Sequence, residues 1–211
     1  LLDGVAEEVE PERLQAALYD GDRIAVPQQT LNIRRIRAIN GKLFERVRVK
    51  NYNPHPVDID LGFTFAADFA DIFEVRGMEH ERHTPPEPPS VEGDTLVFSS
   101  TGSDGVKRTT VVAMSSRPDE TSVQGDTVRA TFRLHLGPFQ TRLLGMTIEP
   151  VVDRSRSRDL DFDVAVHELR RSYEDWERGS TQIVTDNELF NQLLDRSLRD
   201  LRALLTQTRD G

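Results

Sequence analysis

The chain has 211 residues, with 27 basic and 36 acidic side chains, a net charge of −9 and no cysteine. That length suits one large domain, or one domain and part of another, and 36% apolar residues including 10 Phe can build its core. The lack of Cys excludes a disulfide framework, a thiolate metal site and a cysteine nucleophile, and the acidic balance argues against a sequence-independent nucleic-acid binder.

The chain opens on Leu1-Leu2-Asp3-Gly4, without Met and without the apolar core of a signal peptide. No window approaches the ~18 apolar residues of a membrane-spanning helix, so no membrane partner is expected. Cysteine-free composition fits a reducing compartment, and a cytoplasmic location is the expectation. The chain stops at Thr208–Gly211, just after a helical run, and both ends read as cuts from a longer protein.

Period-two patterns dominate residues 14–150. Thr30–Ile39 reads as a strand ending at the tight-turn dipeptide Asn40-Gly41. In the next strand Leu43, Val47 and Val49 share one face, with Phe44, Arg46, Arg48 and Lys50 on the other. Val57, Ile59, Leu61, Phe63 and Phe65 alternate with polar or small residues, a half-buried strand facing the core. Asn51–Pro56 carries turn signals and is expected to join these two strands as a hairpin. The proline-rich Thr84–Ser90 is expected outside any sheet interior, as a stiff surface excursion or loop. Further strands follow at Thr95–Ser99, Val106–Met114, Val128–Leu136 and Thr141–Ile148, separated by Gly-containing turns. Many short strands at this spacing predict an antiparallel β-sandwich.

After Pro150 the period changes. Phe162, Val166, Leu169, Tyr173 and Trp176 form one helical stripe over about 162–178, with Asp161 and Asp163 at its start and Gly179 at its end. A second helix over 186–206 is predicted to begin at Thr185, with Glu188 completing a capping box. Its Leu189, Phe190, Leu193, Leu194, Leu198, Leu201, Leu204 and Leu205 make an apolar face too wide for a lone appendage. Leu194, Leu198 and Leu201 are therefore candidates for docking onto another domain.

No complete catalytic constellation stands out. Asp68, Asp71 and Glu74 follow the clearest strand, and paired carboxylates are what glycoside hydrolysis needs. The competing reading is a solvated loop whose Asp residues cap a short turn, with Phe69 and Phe73 folded inward. His80 and His83 stand i, i+3 apart rather than i, i+4, and prolines follow them, so no metal site is expected. Arg34, Arg35 and Arg37 read as an exposed sheet face, with a docking surface or contact with an anionic group as the alternative, Arg154–Arg158 as a solvated connector, and Ser99–Gly105 as turn chemistry. Trp176 and Tyr173 read as core.

The stretch Leu43–Tyr52, followed by Phe65-Ala66-Ala67-Asp68-Phe69-Ala70-Asp71-Ile72-Phe73-Glu74-Val75-Arg76-Gly77, resembles the N-terminal domain of bacterial and archaeal glycogen debranching enzymes of the amylo-alpha-1,6-glucosidase type. Trp176, Ile183–Asn187 and Leu193–Leu201 resemble that family's entry into its helical domain. The resemblance implies an N-terminal β-sandwich over 1–150, a helical linker over 151–185, and the start of an (α/α)6 toroid over 186–211. In such enzymes the toroid carries the catalytic acids, so none is carried onto this chain and no cofactor is implied. Its expected partners are its own C-terminal catalytic domain and, through the parent enzyme, an alpha-glucan. The loop bearing Asp68, Asp71, Glu74 and Arg76 is the implied pocket-proximal element. A stand-alone glucan-binding module and a purely structural domain remain the competing readings.

Overall fold

Alternation of apolar and polar side chains sorts the strands into two antiparallel sheets with one core between them. The computed structural model describes residues 18–20, 23–26, 29–78, 85–152 and 161–205. The chain divides into two compact units, Leu1–Arg158 and Asp159–Gly211.

In the first unit, β1 (Leu18–Asp20) and β2 (Arg23–Val26) form a two-stranded ribbon. The other strands are β3 (Leu31–Ile39), β4 (Leu43–Asn51), β5 (Val57–Phe65), β6 (Glu87–Glu92), β7 (Thr95–Thr101), β8 (Lys107–Met114), β9 (Glu120–Gln124), β10 (Thr127–Leu136) and β11 (Thr141–Val152). A six-stranded sheet runs β3-β4-β11-β8-β7-β6, and a three-stranded sheet runs β5-β10-β9. One helical turn, α1 (Ile72–Val75), lies between β5 and β6. Buried residues of both sheets form a single cluster: Val47, Val49, Leu96, Phe98, Val112 and Leu144 from the larger, and Val57, Phe63, Val128, Phe132 and Leu136 from the smaller. The Phe63 and Phe132 rings meet edge to face, with centroids 6.0 Å apart. Val57 and Phe63 are buried, while Ile59, Leu61 and Phe65 pack half-buried against the same cluster, so the expected core face is the observed one.

Two expectations are corrected. β4 and β5 are not a hairpin: β4 lies between β3 and β11, whereas β5 pairs with β10. Both sides of β4 are already occupied, so the chain at 52–56 crosses to the other sheet. The proline segment is not a loop but contributes to β6, which pairs with β7 and lies at the sheet edge. Pro88 and Pro89 fall where the register shifts between Glu87 and Ser90, a place that needs no ladder donor. The sequence reading also passed over β1, β2 and β9.

The crossing is tied by buried carboxamides. Asn51 and Asn53 are almost wholly buried. The Asn51 Nδ2 donates to the carbonyls of His55 (2.9 Å), Leu136 (3.2 Å) and Gly137 (3.0 Å). Its Oδ1 accepts from the backbone N–H and the Nδ2 of Asn53, both at 2.8 Å. Asn53 Nδ2 also donates to Thr30 Oγ1 at 3.0 Å. One side chain thus joins the β4–β5 and β10–β11 connections, two of the four places where the described strands pass from one sheet to the other.

A buried charge sits at the other end of β4. Glu45 is 3% exposed and shares a face with Val47 and Val49. The Nε of Arg35 pairs with Glu45 Oε1, and that of Arg37 with Oε2 at 2.9 Å. Arg34, Arg35 and Arg37 are exposed, as read from the sequence, and the charged ends of Arg35 and Arg37 also neutralise a carboxylate that burial alone would penalise.

The second unit holds α2 (Phe162–Gly179) and α3 (Glu188–Leu204). Asp161 caps α2 by accepting from the Asp163 N–H at 2.8 Å. The cap of α3 is Asn187, not Thr185, and its Oδ1 accepts from the Phe190 N–H at 3.0 Å. Thr185 instead exchanges hydrogen bonds with the Asn191 carboxamide ahead of the helix. Arg199 pairs with Glu177 at 2.9 Å, and Arg202 donates to Ser172 Oγ at 2.8 Å, which ties the two helices together.

Phe63→Ala should lower unfolding free energy by about 3–5 kcal/mol, from lost burial plus the cavity it leaves, as read by urea denaturation. Asn51→Leu should cost roughly 2–4 kcal/mol by the same measurement, since it strands several buried polar groups at once. Asn51→Asp should be worse near neutral pH and recover as pH falls. Facing carbonyls in a buried site, that carboxyl would have its pKa raised, so its deficit is least below the unfolded value.

Candidate functional site

The segment from Asp68 to Met78 is a self-contained structure built from its own side chains. Asp68 Oδ1 accepts from the Ala70 N–H at 3.1 Å. Asp71 caps α1, its Oδ1 accepting from the N–H groups of Phe73 (2.7 Å) and Glu74 (2.9 Å). The Glu74 Oε2 reaches back to accept from the Asp71 N–H at 2.9 Å, which closes a capping box. At the other end Arg76 is the C-cap and Gly77 takes a φ of 83°. The Gly77 N–H donates to the Glu74 carbonyl and the Met78 N–H to that of Phe73, both at 2.9 Å, the Schellman pattern. A four-residue helix with both ends capped needs no support from a longer element.

This geometry assigns the three carboxylates to backbone N–H groups of their own turn, the capping role anticipated as the alternative to catalysis. The inward fold of the two rings holds only in part. Phe69, at φ 53°, packs against the core, whereas Phe73 is 54% exposed. Ile72, Val75 and Met78 are also about half exposed, so the capped turn presents an apolar surface. Arg76 is exposed beside it.

The docking candidates on α3 divide by exposure: Leu194 and Leu198 are half-buried and Leu201 is exposed. Leu189, Leu193 and Leu204 are each more than 60% exposed. Tyr173 and Trp176 are half-buried, with the Arg202 guanidinium 5.7 Å from the Tyr173 ring centre. They line the flank of α2 beside α3 rather than a closed core.

Ser99–Gly105 is turn chemistry, as its composition predicts. Asp104 caps the Val106 N–H at 3.0 Å and pairs with Arg108 at 2.7 Å, and that guanidinium holds its carboxyl well below the usual carboxylate range. His80, His83 and the Arg154–Arg158 run lie outside the described residues. Among the described residues no group of three His, Cys, Asp or Glu is placed to hold a metal ion, and no helix is long and apolar enough to cross a membrane.

The outward face of the small sheet is polar. Asp58 meets His135 Nδ1 at 2.7 Å, Arg133 meets Glu120 at 3.3 Å, and the Arg129 guanidinium lies over Gly62, where a Cβ would approach within 2.9 Å of it. By register this face carries Asp60, Thr64, Thr131, Ser122 and Gln124 as well, and no aromatic ring for stacking on sugar.

A family model described as the N-terminal domain of (some) glycogen debranching enzymes matches residues 5–147. No curated protein matches the chain. Among solved structures, a kojibiose phosphorylase from the human microbiome is similar with 12% sequence identity and a TM-score of 0.47 over 67% of this chain. The match spans only 19% of that structure's chain.

Asp71→Ala should loosen the capped turn by about 0.5–2 kcal/mol, the usual worth of an N-cap. Gly77→Ala should add about 1 kcal/mol for a side chain in the left-handed region. Faster amide exchange confined to residues 72–78, with the melting of the sheets unchanged, is the expected readout.

Proposed function

The chain belongs to the family of the N-terminal domain of glycogen debranching enzymes, and from that membership we propose that it is the non-catalytic β-domain of a larger alpha-glucan hydrolase. The observation that carries this reading is the family match across residues 5–147. In the parent enzyme, chemistry on alpha-1,6 branch linkages belongs to a catalytic domain, which the resemblance places as an (α/α)6 toroid. The β-domain packs on it, and the Asp68–Gly77 loop borders the mouth of its pocket. Two features support a shaping role over a catalytic one. Asp71 and Glu74 are engaged in reciprocal caps, and the loop offers Ile72, Phe73 and Val75 outward rather than a pair of free acids. Leu194, Leu198 and Leu201 are the proposed contacts of α3 with the rest of the toroid.

A second reading, a surface that grips glucan directly, draws on Phe139 and Tyr52. Both rings are largely exposed, and Phe139 sits at φ 57° in the β10–β11 turn. Retardation of the chain in a glycogen-containing gel, lost in Phe139→Ala, would favour it.

The 211-residue chain is expected to release no glucose from a limit dextrin. In the complete enzyme, Phe73→Asp should lower kcat/KM on that substrate by about tenfold, or roughly 1.4 kcal/mol of transition-state binding. Glucose release by the chain alone, abolished by Asp68→Asn or Asp71→Asn, would reverse the assignment and make the loop carboxylates catalysts.

A further inference from the structure

Phe139 holds a conformation from which its ring gains nothing. Its φ of 57° lies in the left-handed region, where a side chain carries a cost that glycine avoids. No burial offsets that cost, since the residue is 61% exposed. Neither the core nor the turn accounts for a phenylalanine here. Backbone strain that displays a side chain to solvent points to a contact the side chain makes.

The surrounding corner is built to hold the ring in place. The Phe139 N–H donates to the Asn53 carbonyl at 3.3 Å, and the Asn51 N–H to the Gln140 carbonyl at 2.9 Å. These bonds carry the β4–β11 register past the Lys50–Thr141 rung and bring Tyr52 level with Phe139. Tyr52 stands between the two buried asparagines and donates its N–H to the Thr30 carbonyl at 2.8 Å, yet it is 47% exposed. Lys50 Nζ lies 4.6 Å from its ring centre. His55 and Gln140, close by in sequence, are exposed as well. Two displayed rings thus sit on a rigid frame among polar side chains. Ring faces take the C–H faces of a sugar, and the polar neighbours take its hydroxyl groups.

The position of this corner limits what it can hold. Through Asn51 it is tied to His55 and Leu136, beside the start of β5 at Val57. The Asp68–Gly77 loop leaves from the other end of the same strand, after Phe65. A strand of nine residues is roughly 27 Å long. A short dextrin cannot reach from one end to the other, whereas a polymer can.

We propose that Tyr52 and Phe139 form a site that holds an alpha-glucan polymer, at the end of β5 opposite the Asp68–Gly77 loop. This rests on the reading of the chain as part of an alpha-glucan hydrolase, and it gives the two surfaces separate tasks: the loop borders the pocket, and the corner holds chain that extends beyond it.

The test joins binding, stability and turnover. Glycogen should retard the 211-residue chain in an affinity gel, and short branched dextrins at equal glucose content should not compete. Tyr52→Ala with Phe139→Ala should abolish the retardation. Phe139→Gly separates the ring from the strain: it should lose most of the retardation while raising the unfolding midpoint in urea. In the complete enzyme, the double alanine variant should lower the ratio of kcat/KM on glycogen to that on short branched dextrins by about tenfold. An unretarded wild-type chain, retardation kept by the double variant, equal competition by short dextrins or an unchanged ratio would each overturn the proposal. So would a lowered midpoint in Phe139→Gly, since the ring would then serve the fold. A complete enzyme that cleaves neither substrate would instead sink the alpha-glucan reading itself.

Discussion

The carboxamide of Asn51 is the constraint on which the two-sheet arrangement depends. The chain first leaves the large sheet after β4 and last returns to it before β11, and at both corners backbone carbonyls turn away from any strand neighbour. Buried carbonyls must find donors, and those of His55, Leu136 and Gly137 find them in one Nδ2. Asparagine is suited because it offers two N–H donors and an acceptor on a short stem. Asp would bring no donor, and Gln would carry the same groups a carbon farther out. The Asn53 contacts then tie the corner to Thr30 at the entry to β3.

The same principle, local polar groups answering local backbone, explains the most distinctive stretch of sequence. In Asp68–Met78 nearly every residue has a structural task. Asp71 and Glu74 cap the start of α1, Gly77 permits the left-handed exit, and Phe69 anchors the loop on the core. The loop also turns Ile72, Phe73, Val75, Arg76 and Met78 to the surface. Each of its three carboxylates holds a backbone N–H of the loop, and beside them it presents an apolar group and one cation.

Much of the fold was legible because strand faces and helix stripes are periodic properties of the chain itself. Val57 to Phe65 alternate in sequence as they do in burial, and α2 and α3 fall close to the predicted spans. Pairing partners were not legible. Alternation says which side chains share a face but not which strand lies alongside, so the β4–β5 connection read as a hairpin although it changes sheets. The prolines of β6 read as a break because a missing N–H is harmful in a ladder, but not at an edge bulge. At the loop, the Asp-x-x-Glu spacing of Asp71 and Glu74 carried the signal for a capping box and outweighed their appearance as an acid pair. Glu45 went unremarked because a single acid in a strand looks solvated until its neighbours are known. Only the register of β3 against β4 brings Arg35 and Arg37 onto it.

The two outer strands of the large sheet share a property with consequences for how the protein behaves in a crowded solution. β6 presents Pro88, Pro89 and a register shift along one border, and β3, along the other, carries the exposed charges of Arg34, Arg35 and Arg37. Each device blocks the backbone template on which a further strand could be laid. Growth of this sheet by strand addition, the route to fibrils and swapped polymers, is closed at both borders. Copies at high concentration are then denied a continuous ladder running from one large sheet to the next.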